Sequence, residues 1–382
     1  MSNYDSKVPA GWELKFIADV CNIYVRRDLK ENNFSSSKCE EYQVPVYSNT
    51  VENEGLYGYY NIEEFSGEST TIVGRGAGLG TAFTRNGKYG AIGRLLVLFP
   101  KENVIAHYIT EFVNGILQIH QESGGIPQLT GEQISKYKIT IPPLHEQKAI
   151  AHVLSTADTA INTTEKLIVQ KELRKKWLMQ QLLTGKKRLK GFSGKWNEMT
   201  IGDLIVESRI PSIDNDVNKR ITVKLKLKGI EKRDVRGSEA EDATYFFVRK
   251  KGQFIYGKQN LHKGAFGIIP EELDGFESSQ DIPAFDFLKG VSPNFFMFFM
   301  SQEGFYQSLE KISTGTGSKR IHPENLYKVK VIFPSIEEQA AITQVLETAA
   351  KEISLLKLKA EKLREKKKGL MQQLLTGKIR IK

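Results

Sequence analysis

A repeat inside the chain constrains its fold more than any other feature of the sequence. Residues 141–161 (IPPLHEQKAIAHVLSTADTAI) recur 192 positions later as residues 333–353 (FPSIEEQAAITQVLETAAKEI). Residues 175–188 recur at the same offset as residues 367–380, and both copies contain LMQQLLTGK. In all, 22 of the 49 positions from 141 to 189 are identical in the second copy. Because a nine-residue identity in a register already set upstream is not a chance match, the chain contains two copies of one structural element.

The repeat divides the 382 residues into four predicted parts. We expect a first domain at 1–142, a helix at 143–188, a second domain at 189–334 and a second helix at 335–382. Each of the two large parts is long enough to bury a core of its own. Their interiors share no obvious similarity, so the repeat is confined to the helices and the short segments beside them.

Each repeated segment is predicted to form one long α-helix. Residues 144–184 contain no glycine or proline, follow Pro142-Pro143, and end at Thr184-Gly185, where glycine can adopt the left-handed conformation that stops a helix. At 1.5 Å per residue such a helix is about 60 Å long. The second copy, 336–376, has one interior glycine.

Apolar residues recur along both helices at the 3-4 spacing that is typical of a coiled-coil seam. We expect the two similar seams to pack on each other in antiparallel orientation; the alternative is that each helix packs only on its own domain. The predicted seam residues are Ile150, Leu154, Ile161, Ile168, Leu178, Leu182, Ile342, Leu346, Ile353, Leu356, Leu363, Leu370 and Leu374.

Both large parts are predicted to be rich in β-structure. Residues 69–99 and 244–258 hold short β-branched and aromatic runs that glycines interrupt, and residues 265–270 show the same pattern. The predicted fold class is therefore α+β. We expect two α/β domains with twisted sheets, separated by two long helices that pair as an antiparallel coiled coil with pseudo-two-fold symmetry.

The net charge of +10 lies almost entirely in the repeated segments. Residues 141–190 carry +6 and residues 333–382 carry +5, whereas residues 1–140 carry −3 and residues 191–332 carry +2. A nearly neutral domain can still read bases, but it does not hold phosphates tightly alone. The charge pattern therefore indicates that any nucleic-acid binding is shared with a partner.

Composition excludes several classes of protein. Hydrophobic residues make up 40% and charged residues 26% of the chain, as in ordinary globular proteins. The longest apolar run, residues 295–300, is far too short to span a bilayer, and the first residues contain no apolar signal core. The two cysteines form neither a disulfide framework nor a metal-binding spacing, so we expect a cytoplasmic protein.

No motif predicts catalysis by this chain. His145-Glu146 begins like the zinc-binding HExxH pattern, but Ala149 stands where the second histidine must be. GRGAGLG, residues 74–80, has Leu79 where a dinucleotide-binding loop needs its third glycine, so a glycine-bearing β-turn explains it better. Neither an Asn-Pro-Pro signature for amino-methylation nor a clear set of nuclease carboxylates is found. We predict no catalytic residue, no metal site and no cofactor.

LMQQLLTGK, preceded by IPPLHEQ, recurs after a second, unrelated block, where FPSIEEQ precedes it. On these motifs the chain resembles the specificity subunits of type I restriction-modification enzymes over essentially its full length. The specific part of the resemblance is the architecture, in which each of two variable blocks is followed by a helix ending in LLTGK. Within the blocks, IVGRGAGLG (72–80) and VRKKGQFIYGK (248–258) look like the glycine-bearing hairpins of the family's target-recognition domains.

The resemblance implies a division of labour. Each target-recognition domain would read one half of a split sequence in double-stranded DNA. The helices would set the spacer between the halves and dock two methyltransferase subunits, and restriction subunits with motor and nuclease activity would complete the complex. This agrees with the geometry of two similar modules that read half-sites about one helical turn apart. The chain itself would be a non-catalytic subunit.

Candidate base contacts are exposed basic and amide residues on loops, because arginine pairs with guanine and asparagine or glutamine with adenine in the major groove. They are Arg75, Arg85, Asn86, Lys258, Gln259, Asn260, Lys319 and Arg320. The loop 315–320 precedes a helix predicted to start at Pro323, where backbone N–H groups could meet a phosphate.

Two alternatives stay open at this point: an independent double-headed DNA-binding regulator, and a coiled-coil assembly scaffold that does not bind DNA. A regulator should bind DNA strongly alone, which the neutral blocks argue against. A scaffold would have no reason to carry two unrelated β-rich blocks at equal spacing.

Overall fold

The computed structural model describes residues 8–26, 28–119, 128–213, 215–235, 245–315 and 319–381. Its contacts divide the chain into two units. Unit 1 is Met1–Lys166 together with Lys357–Lys382, and unit 2 is Leu167–Leu356. Each unit thus contains one of the two variable blocks and a part of both repeated helices. No helix in the described ranges is long and apolar enough to cross a membrane.

The first block and its repeat helix are built from ten strands and four α-helices within the described residues. In chain order these are β1 (Glu13–Phe16), α1 (Ile17–Val20), β2 (Cys21–Val25), β3 (Phe34–Ser35), β4 (Val44–Tyr47), β5 (Leu56–Tyr60), β6 (Ser69–Ile72), β7 (Ala82–Arg85), β8 (Gly90–Ala91), β9 (Leu96–Pro100), α2 (Ala106–Gly115), α3 (Gly131–Ser135), β10 (Lys138–Ile141) and α4 (Leu144–Leu182).

Unit 1 has two four-stranded sheets. One has the order β2-β9-β6-β7 and is antiparallel; the other has the order β3-β5-β4-β8, in which only β4 and β8 run parallel. The pair β1-β10 lies at the entry to α4. The core is formed by α2, the first of these sheets and both repeated helices, since Ile109, Leu98, Leu154 and Leu374 belong to one buried cluster.

The second block and its repeat helix contain the elements that follow α4. They are β11 (Asn197–Thr200), β12 (Ile205–Ser208), β13 (Ile210–Pro211), β14 (Ile221–Val223), β15 (Ile230–Lys232), β16 (Phe246–Val248), β17 (Phe254–Tyr256), β18 (Phe266–Ile268), β19 (Glu277–Ser279), β20 (Ala284–Phe287), α5 (Pro293–Met300), α6 (Glu303–Ser308), α7 (Pro323–Tyr327), β21 (Lys330–Phe333) and α8 (Ile336–Leu374). Short 3₁₀ turns occur in both blocks, at Glu31–Asn33, Glu52–Gly55, Ile201–Asp203, Val217–Lys219, Leu261–Lys263, Glu271–Leu273 and Leu309–Ile312.

Unit 2 is organised around the sheet β12-β20-β17-β18 and a three-stranded sheet, β13-β16-β19. Two antiparallel pairs, β14-β15 and β11-β21, complete it, and β11-β21 lies at the entry to α8 as β1-β10 does at the entry to α4. Aromatic side chains dominate the core. Phe254, Tyr256, Phe285 and Phe296 are fully buried and form one cluster.

The long helices α4 and α8 pair in antiparallel orientation within each unit. In unit 1, Glu165 pairs with Arg364 and the earlier Asp158 pairs with the later Lys367. In unit 2, Lys171 pairs with Glu352. Residues nearer the start of α4 pair with residues nearer the end of α8, as they do in an antiparallel pair of helices. The prediction of a mixed helix-and-sheet chain with two long paired helices is confirmed, and every predicted seam residue is buried or half-buried.

The ends of the two helices explain why the repeat contains EQ at its start and GK-x-R at its end. Glu146, at the start of α4, accepts two hydrogen bonds from Arg380, beyond the end of α8, at 2.6 and 2.7 Å. Trp12 Nε1 also donates to Glu146 Oε2 at 3.0 Å. Burial opposes ionisation of this carboxyl, but the hydrogen bonds from Arg380 and Trp12 outweigh it, and the pKa of Glu146 is lowered.

Unit 2 contains the same arrangement with the two copies exchanged. Glu338, at the start of α8, accepts two hydrogen bonds of 2.6 Å from Arg188, beyond the end of α4, and one of 3.1 Å from Trp196. The start of each copy is therefore held by the end of the other. The chain can turn away after each helix because Gly185 and Gly377 are left-handed, with φ of 69° and 67°.

The glutamine that follows each of these glutamates fixes the helix start to its own block. Gln147 Oε1 accepts from the N–H of Ile105 at 3.1 Å, just before α2. Gln339 Oε1 accepts from the N–H of Ser292 at 2.8 Å, just before α5. Both side-chain amides also donate to backbone carbonyls. These two glutamines therefore place α2 and α5 at equivalent positions in their units.

Candidate nucleic-acid interface

Three loops of unit 1 meet around Asn49, which lies between β4 and β5. Its Oδ1 atom accepts from the N–H of Gly74, in the β6–β7 loop, at 2.8 Å, and its Nδ2 atom donates to the carbonyl of Gly93, in the β8–β9 loop. A Cβ atom at Gly74 would lie 2.8 Å from the carbonyl oxygen of Arg94. The loops approach each other so closely that only glycine fits at position 74.

Three arginines surround these loops. Arg75 and Arg26 are exposed and Arg94 is half-buried. Arg94 donates from Nη1 to Gln128 Oε1 at 2.9 Å, while Gln128 also bridges to the backbone of Arg75. The N–H of Arg94 donates to the carbonyl of Arg26 at 2.7 Å. Across the described ranges none of the three arginines forms an ion pair, so their charges are available to an external anion such as a DNA phosphate.

Arg85 and Asn86, the other two candidates of the first block, have different surroundings. Arg85 is only 4% exposed; its guanidinium lies 3.6 Å from the centroid of the Tyr47 ring and donates to Thr71 Oγ1 at 3.0 Å and to the carbonyl of Glu54. Burial lowers the pKa of Arg85. Asn86 is exposed but follows β7, at the end of the strand away from Arg75. The structure therefore does not bring Arg75 and Asn86 together.

The candidates of the second block are brought together. The carbonyl of Lys258 accepts from the N–H of Ile321 at 2.8 Å, which joins the turn after β17 to the loop before α7. The N–H of Lys258 donates to the carbonyl of Asp281 at 2.9 Å, and Arg320 lies 3.4 Å from the carboxylate of the same residue. Thr314 and Arg320 exchange two backbone hydrogen bonds of 2.8 Å across the base of the loop.

The remaining candidates of this block differ in exposure. Gln259 and Lys319 are exposed, whereas Asn260 is half-buried, and Lys319 lies 3.8 Å from Glu310. Residues 316–318 of the predicted phosphate loop lie outside the described residues. The helix after the loop begins at Pro323, as predicted, but it has only five residues.

A buried arginine, Arg249, supports loops of unit 2 as Arg85 supports loops of unit 1. Arg249 is 1% exposed and donates to Ser278 Oγ at 2.7 Å and to the carbonyls of Ser208 and Ile282 at 2.8 and 3.1 Å. Burial lowers its pKa to about 10. Ile282 follows Asp281 directly, so Arg249 positions the turn that Lys258 and Arg320 contact.

Comparison with known proteins shows which family the chain resembles. A model of the type I restriction modification DNA specificity domain matches residues 9–172. The type I restriction enzyme MjaVIII specificity subunit of Methanocaldococcus jannaschii is 24% identical over 98% of this chain and 95% of its own length. The chain is similar to the specificity subunits of type I restriction-modification enzymes. A putative type I specificity subunit of Mycoplasma pneumoniae, S.MpnORF285P, is 30% identical over 46% of this chain and 57% of its own length.

The fold is also that of a specificity subunit. The S subunit of a type I restriction-modification system from M. genitalium aligns over 98% of both chains, with a TM-score of 0.62 and 12% sequence identity. The resemblance that the repeated motifs carry is therefore confirmed along the whole chain.

Two sequence motifs gain a structural explanation from this fold. The β6–β7 segment, with its glycine-rich loop, is an antiparallel hairpin, as the resemblance implies. The prediction of a second hairpin within residues 248–258 is wrong, because β16 pairs with β13 and β19, whereas β17 pairs with β18 and β20. Glu146 of the HExxH-like motif is bound to Arg380, not aimed at a vacant ligand site.

One group of side chains resembles a metal site. His107, Glu111 and Asp158 offer ligand atoms within 4.8 Å of one another. The ammonium of Lys367 lies 2.7 Å from both oxygens of Asp158 and 3.1 Å from Glu111 Oε1, so a cationic side chain of the protein itself lies against these carboxylates.

Sequence reasoning missed Arg26, Arg94 and Arg249. Arg26 and Arg94 carry no local signal, because among the described residues they join the Arg75 loop through Gln128 and the β8–β9 turn. Arg249 stands in a run of basic residues that looks like solvated surface, and only its burial reveals a structural role.

Proposed function

We propose that the chain is the DNA-recognition subunit of a type I restriction-modification complex. Its two variable blocks, 1–142 and 189–334, would act as target-recognition domains that read the two halves of a split DNA sequence. The observation that carries this proposal is that each unit of a specificity-subunit fold presents a loop surface with basic and amide side chains. Among the described residues of unit 1, the surface arginines Arg26, Arg75 and Arg94 form no ion pair, whereas the buried Arg85 lies 3.7 Å from Glu54.

In unit 1 we assign direct DNA contacts to Arg75, Arg94 and Arg26, with Asn86 as a separate contact at the other end of β7. Arg85 would support the loops from inside the unit, because its guanidinium already donates to Thr71 Oγ1 and to the carbonyl of Glu54. In unit 2, Gln259 and Lys319 would reach the DNA first because they are exposed.

The other three candidates in unit 2 already have contacts inside the protein. Lys258 and Asn260 are half-buried, and Arg320 lies beside Asp281. DNA phosphates and base edges compete with that carboxylate, so Arg320 is released only where the bound DNA offers a better acceptor. This arrangement favours discrimination between sequences over tight binding to any sequence.

The proposal includes partners and a cellular location. Two methyltransferase subunits and the restriction subunits would supply catalysis in the cytoplasm, and this chain would direct them to the target without catalysing a reaction itself. The similarity to type I specificity subunits and the predominantly basic helices support this assignment.

Base-resolution methylation mapping of host DNA, with and without this gene, tests the proposal. We expect one split motif to lose its methylation when the gene is deleted and to regain it on complementation. Complementation with Arg75→Ala should alter or weaken methylation at one half of the motif only. An independent regulator would leave methylation unchanged, and that result, together with failure to co-purify with a methyltransferase subunit, would contradict the proposal.

A further inference from the structure

The candidate DNA contacts of unit 2 include few cations that are free of internal partners. Lys319 lies 3.8 Å from the carboxylate of Glu310. Arg320 lies 3.4 Å from that of Asp281, and Lys258 is half-buried. A protein holds DNA phosphates through lysine and arginine side chains whose charge is not already neutralised. Under the proposed function, the phosphates beside this surface therefore need cations from a neighbouring part of the unit.

The loop between β14 and β15, residues 224–229, supplies such cations, and we call it the lysine loop. Its sequence is KLKLKG, so that lysines alternate with leucines. Lys224 pairs with a glutamate of β15 at 2.6 Å. Lys226 and Lys228 are exposed, and so is Lys263 in the 3₁₀ turn that the loop contacts. In the part of the chain that the structure describes, none of these three exposed lysines forms an ion pair.

The lysine loop is fastened to the turn that carries candidate DNA contacts. The N–H of Lys226 donates to the carbonyl of Lys263, and the N–H of Leu227 donates to that of Gly264, both at 2.9 Å. The N–H of Lys263 in turn donates to the carbonyl of Asn260 at 2.9 Å. Because Asn260 is one of the candidate base contacts, the three lysines and the candidate contacts belong to one hydrogen-bonded surface.

Close backbone packing fixes the position of the loop. Lys226 and Leu227 both have left-handed φ angles, of 58° and 57°. Gly264, which faces them, is also left-handed, and a Cβ atom there would lie 3.2 Å from the backbone nitrogen of Leu227. Non-glycine residues keep such a conformation only where the surrounding structure holds them in it. The lysines are therefore presented at a defined position beside Asn260.

We propose that Lys226, Lys228 and Lys263 bind the DNA phosphates that flank the half-site of unit 2. The inference rests on the proposed function, which makes unit 2 a target-recognition domain. These lysines supply affinity that does not depend on sequence, whereas exposed amides such as Gln259 contact base edges. Lysine suits this role because its ammonium binds phosphate as a point charge, without the planar geometry that arginine offers to a base.

Duplex DNA is the partner that the position of these lysines favours. They lie on the surface that Asn260 joins to the other candidate contacts. A duplex presents a row of closely spaced phosphates and engages several ammonium groups at once, whereas a single carboxylate of an acidic protein engages one or two. The described part of unit 1 presents a comparable set of unpaired cations, Arg26, Arg75 and Arg94.

Filter binding by the complex of this chain with its methyltransferase subunits tests the inference, on a duplex that carries the mapped methylation motif. Each of Lys226→Gln, Lys228→Gln and Lys263→Gln should reduce the slope of log K against log salt concentration by about one, and the triple variant by about three. Each unit of slope should weaken binding about tenfold at about 0.1 M salt. The base preference at the unit 2 half-site should stay unchanged, because phosphate contacts carry no sequence information.

Lys251→Gln is the matched control. Lys251 is exposed and pairs with Glu271, and it precedes β17, whereas Lys258 follows the other end of that strand. The control removes one positive charge from unit 2 without touching the three unpaired lysines, so the salt slope should not change. Thermal unfolding of all variants should match that of the unaltered chain, because the replaced side chains are exposed.

The possible results separate the inference from the proposed function. If the three variants have the salt slope of Lys251→Gln while the split methylation motif is intact, the inference is wrong and the proposed function stands. If a variant changes the base preferred at the half-site, the lysines read bases and the inference is wrong. If the variants bind the methyltransferase subunits less tightly but keep the salt slope on DNA, the surface binds protein and the inference is again wrong. If the unaltered complex shows no preference for the motif, both proposals fail.

Discussion

Replacing Arg380 by alanine should destabilise unit 1 far more than replacing Arg364, although both arginines pair with a glutamate of α4. Arg380 binds Glu146 through two hydrogen bonds, and the Glu146 side chain is only 2% exposed. Arg364 binds Glu165, whose side chain is 42% exposed. The two variants therefore remove the same chemical group from a buried and an exposed carboxylate.

The expected magnitudes differ severalfold. Arg380 is itself 41% exposed, so solvent screens part of the lost interaction. Leaving the buried Glu146 carboxylate without this partner therefore costs about 2 kcal/mol, whereas an exposed pair contributes about 0.5 kcal/mol. For a unit of this size, 1 kcal/mol corresponds to roughly 2–4 °C in Tm. We therefore expect Arg380→Ala to lower the Tm of unit 1 by about 4–8 °C and Arg364→Ala by about 1–2 °C.

The effect of Arg380→Ala should depend on pH in a defined direction. In the unaltered chain the folded-state pKa of Glu146 is lowered, so its contribution is present above the ordinary carboxyl pKa and is lost as pH falls through the lowered value. Without Arg380, burial dominates and raises that pKa, so the variant gains stability as pH falls towards the ordinary value. The difference in Tm should be full at neutral pH and should shrink in acid.

Differential scanning calorimetry of the three chains, between neutral pH and the acid limit of reversible unfolding, measures both quantities. Equal shifts for Arg380→Ala and Arg364→Ala would refute the argument from burial. A large shift for Arg380→Ala that stays constant as the pH falls would show that lost packing on Trp12, and not the stranded carboxylate, causes the destabilisation.

Arg75→Ala should weaken DNA binding by the assembled complex and reduce the slope of log K against log salt concentration by about one, whereas Lys88→Ala, which removes a lysine paired with Glu63 at the surface, should change neither. Equal effects of the two variants in a filter-binding titration would remove Arg75 from the interface. Gly74→Ala should cost about 1–3 kcal/mol, because the new Cβ would lie 2.8 Å from the Arg94 carbonyl oxygen, and an unchanged Tm would contradict the close approach of these loops. Gln339→Ala should destabilise unit 2 by about 2 kcal/mol in urea unfolding, since it removes three hydrogen bonds at the start of α8; a negligible loss would mean that water replaces them.

The long helices could be predicted because their determinants are local and repeated. The absence of glycine and proline sets their length, the 3-4 apolar spacing sets the buried face, and Gly185 sets the end of α4. The antiparallel pairing followed from the similarity of the two seams. These features need no knowledge of distant contacts, and the structure agrees with them.

Strand pairing within the blocks could not be predicted in the same way. The run at 248–258 looks like a hairpin because a glycine separates two β-rich stretches, yet β17 lies in the centre of another sheet. Phe254 and Tyr256 are fully buried there, so their burial against distant elements outweighs the local turn signal. Propensity identifies such strands, but tertiary packing selects their neighbours.

The sequence predicts which residue types lie at the candidate interface, but not which of those side chains are exposed. Arg75 and Arg85 are both arginines beside β7, yet one is exposed and the other is enclosed by Tyr47 and Glu54. The partners of Arg85 come from a loop about 30 residues earlier in the chain. Nothing in the sequence next to Arg85 indicates that enclosure.

Identity and divergence between the two copies carry different information. Both copies retain the glutamate at the helix start, Glu146 in one and Glu338 in the other, because each binds the arginine at the end of the other copy. A carboxylate buried without that arginine would destabilise the fold. Lys175 and Lys367 are also identical, but their neighbours are not, since Ala350 replaces the acid found at Asp158. The repeat therefore separates contacts that both units make from a contact that only unit 1 makes.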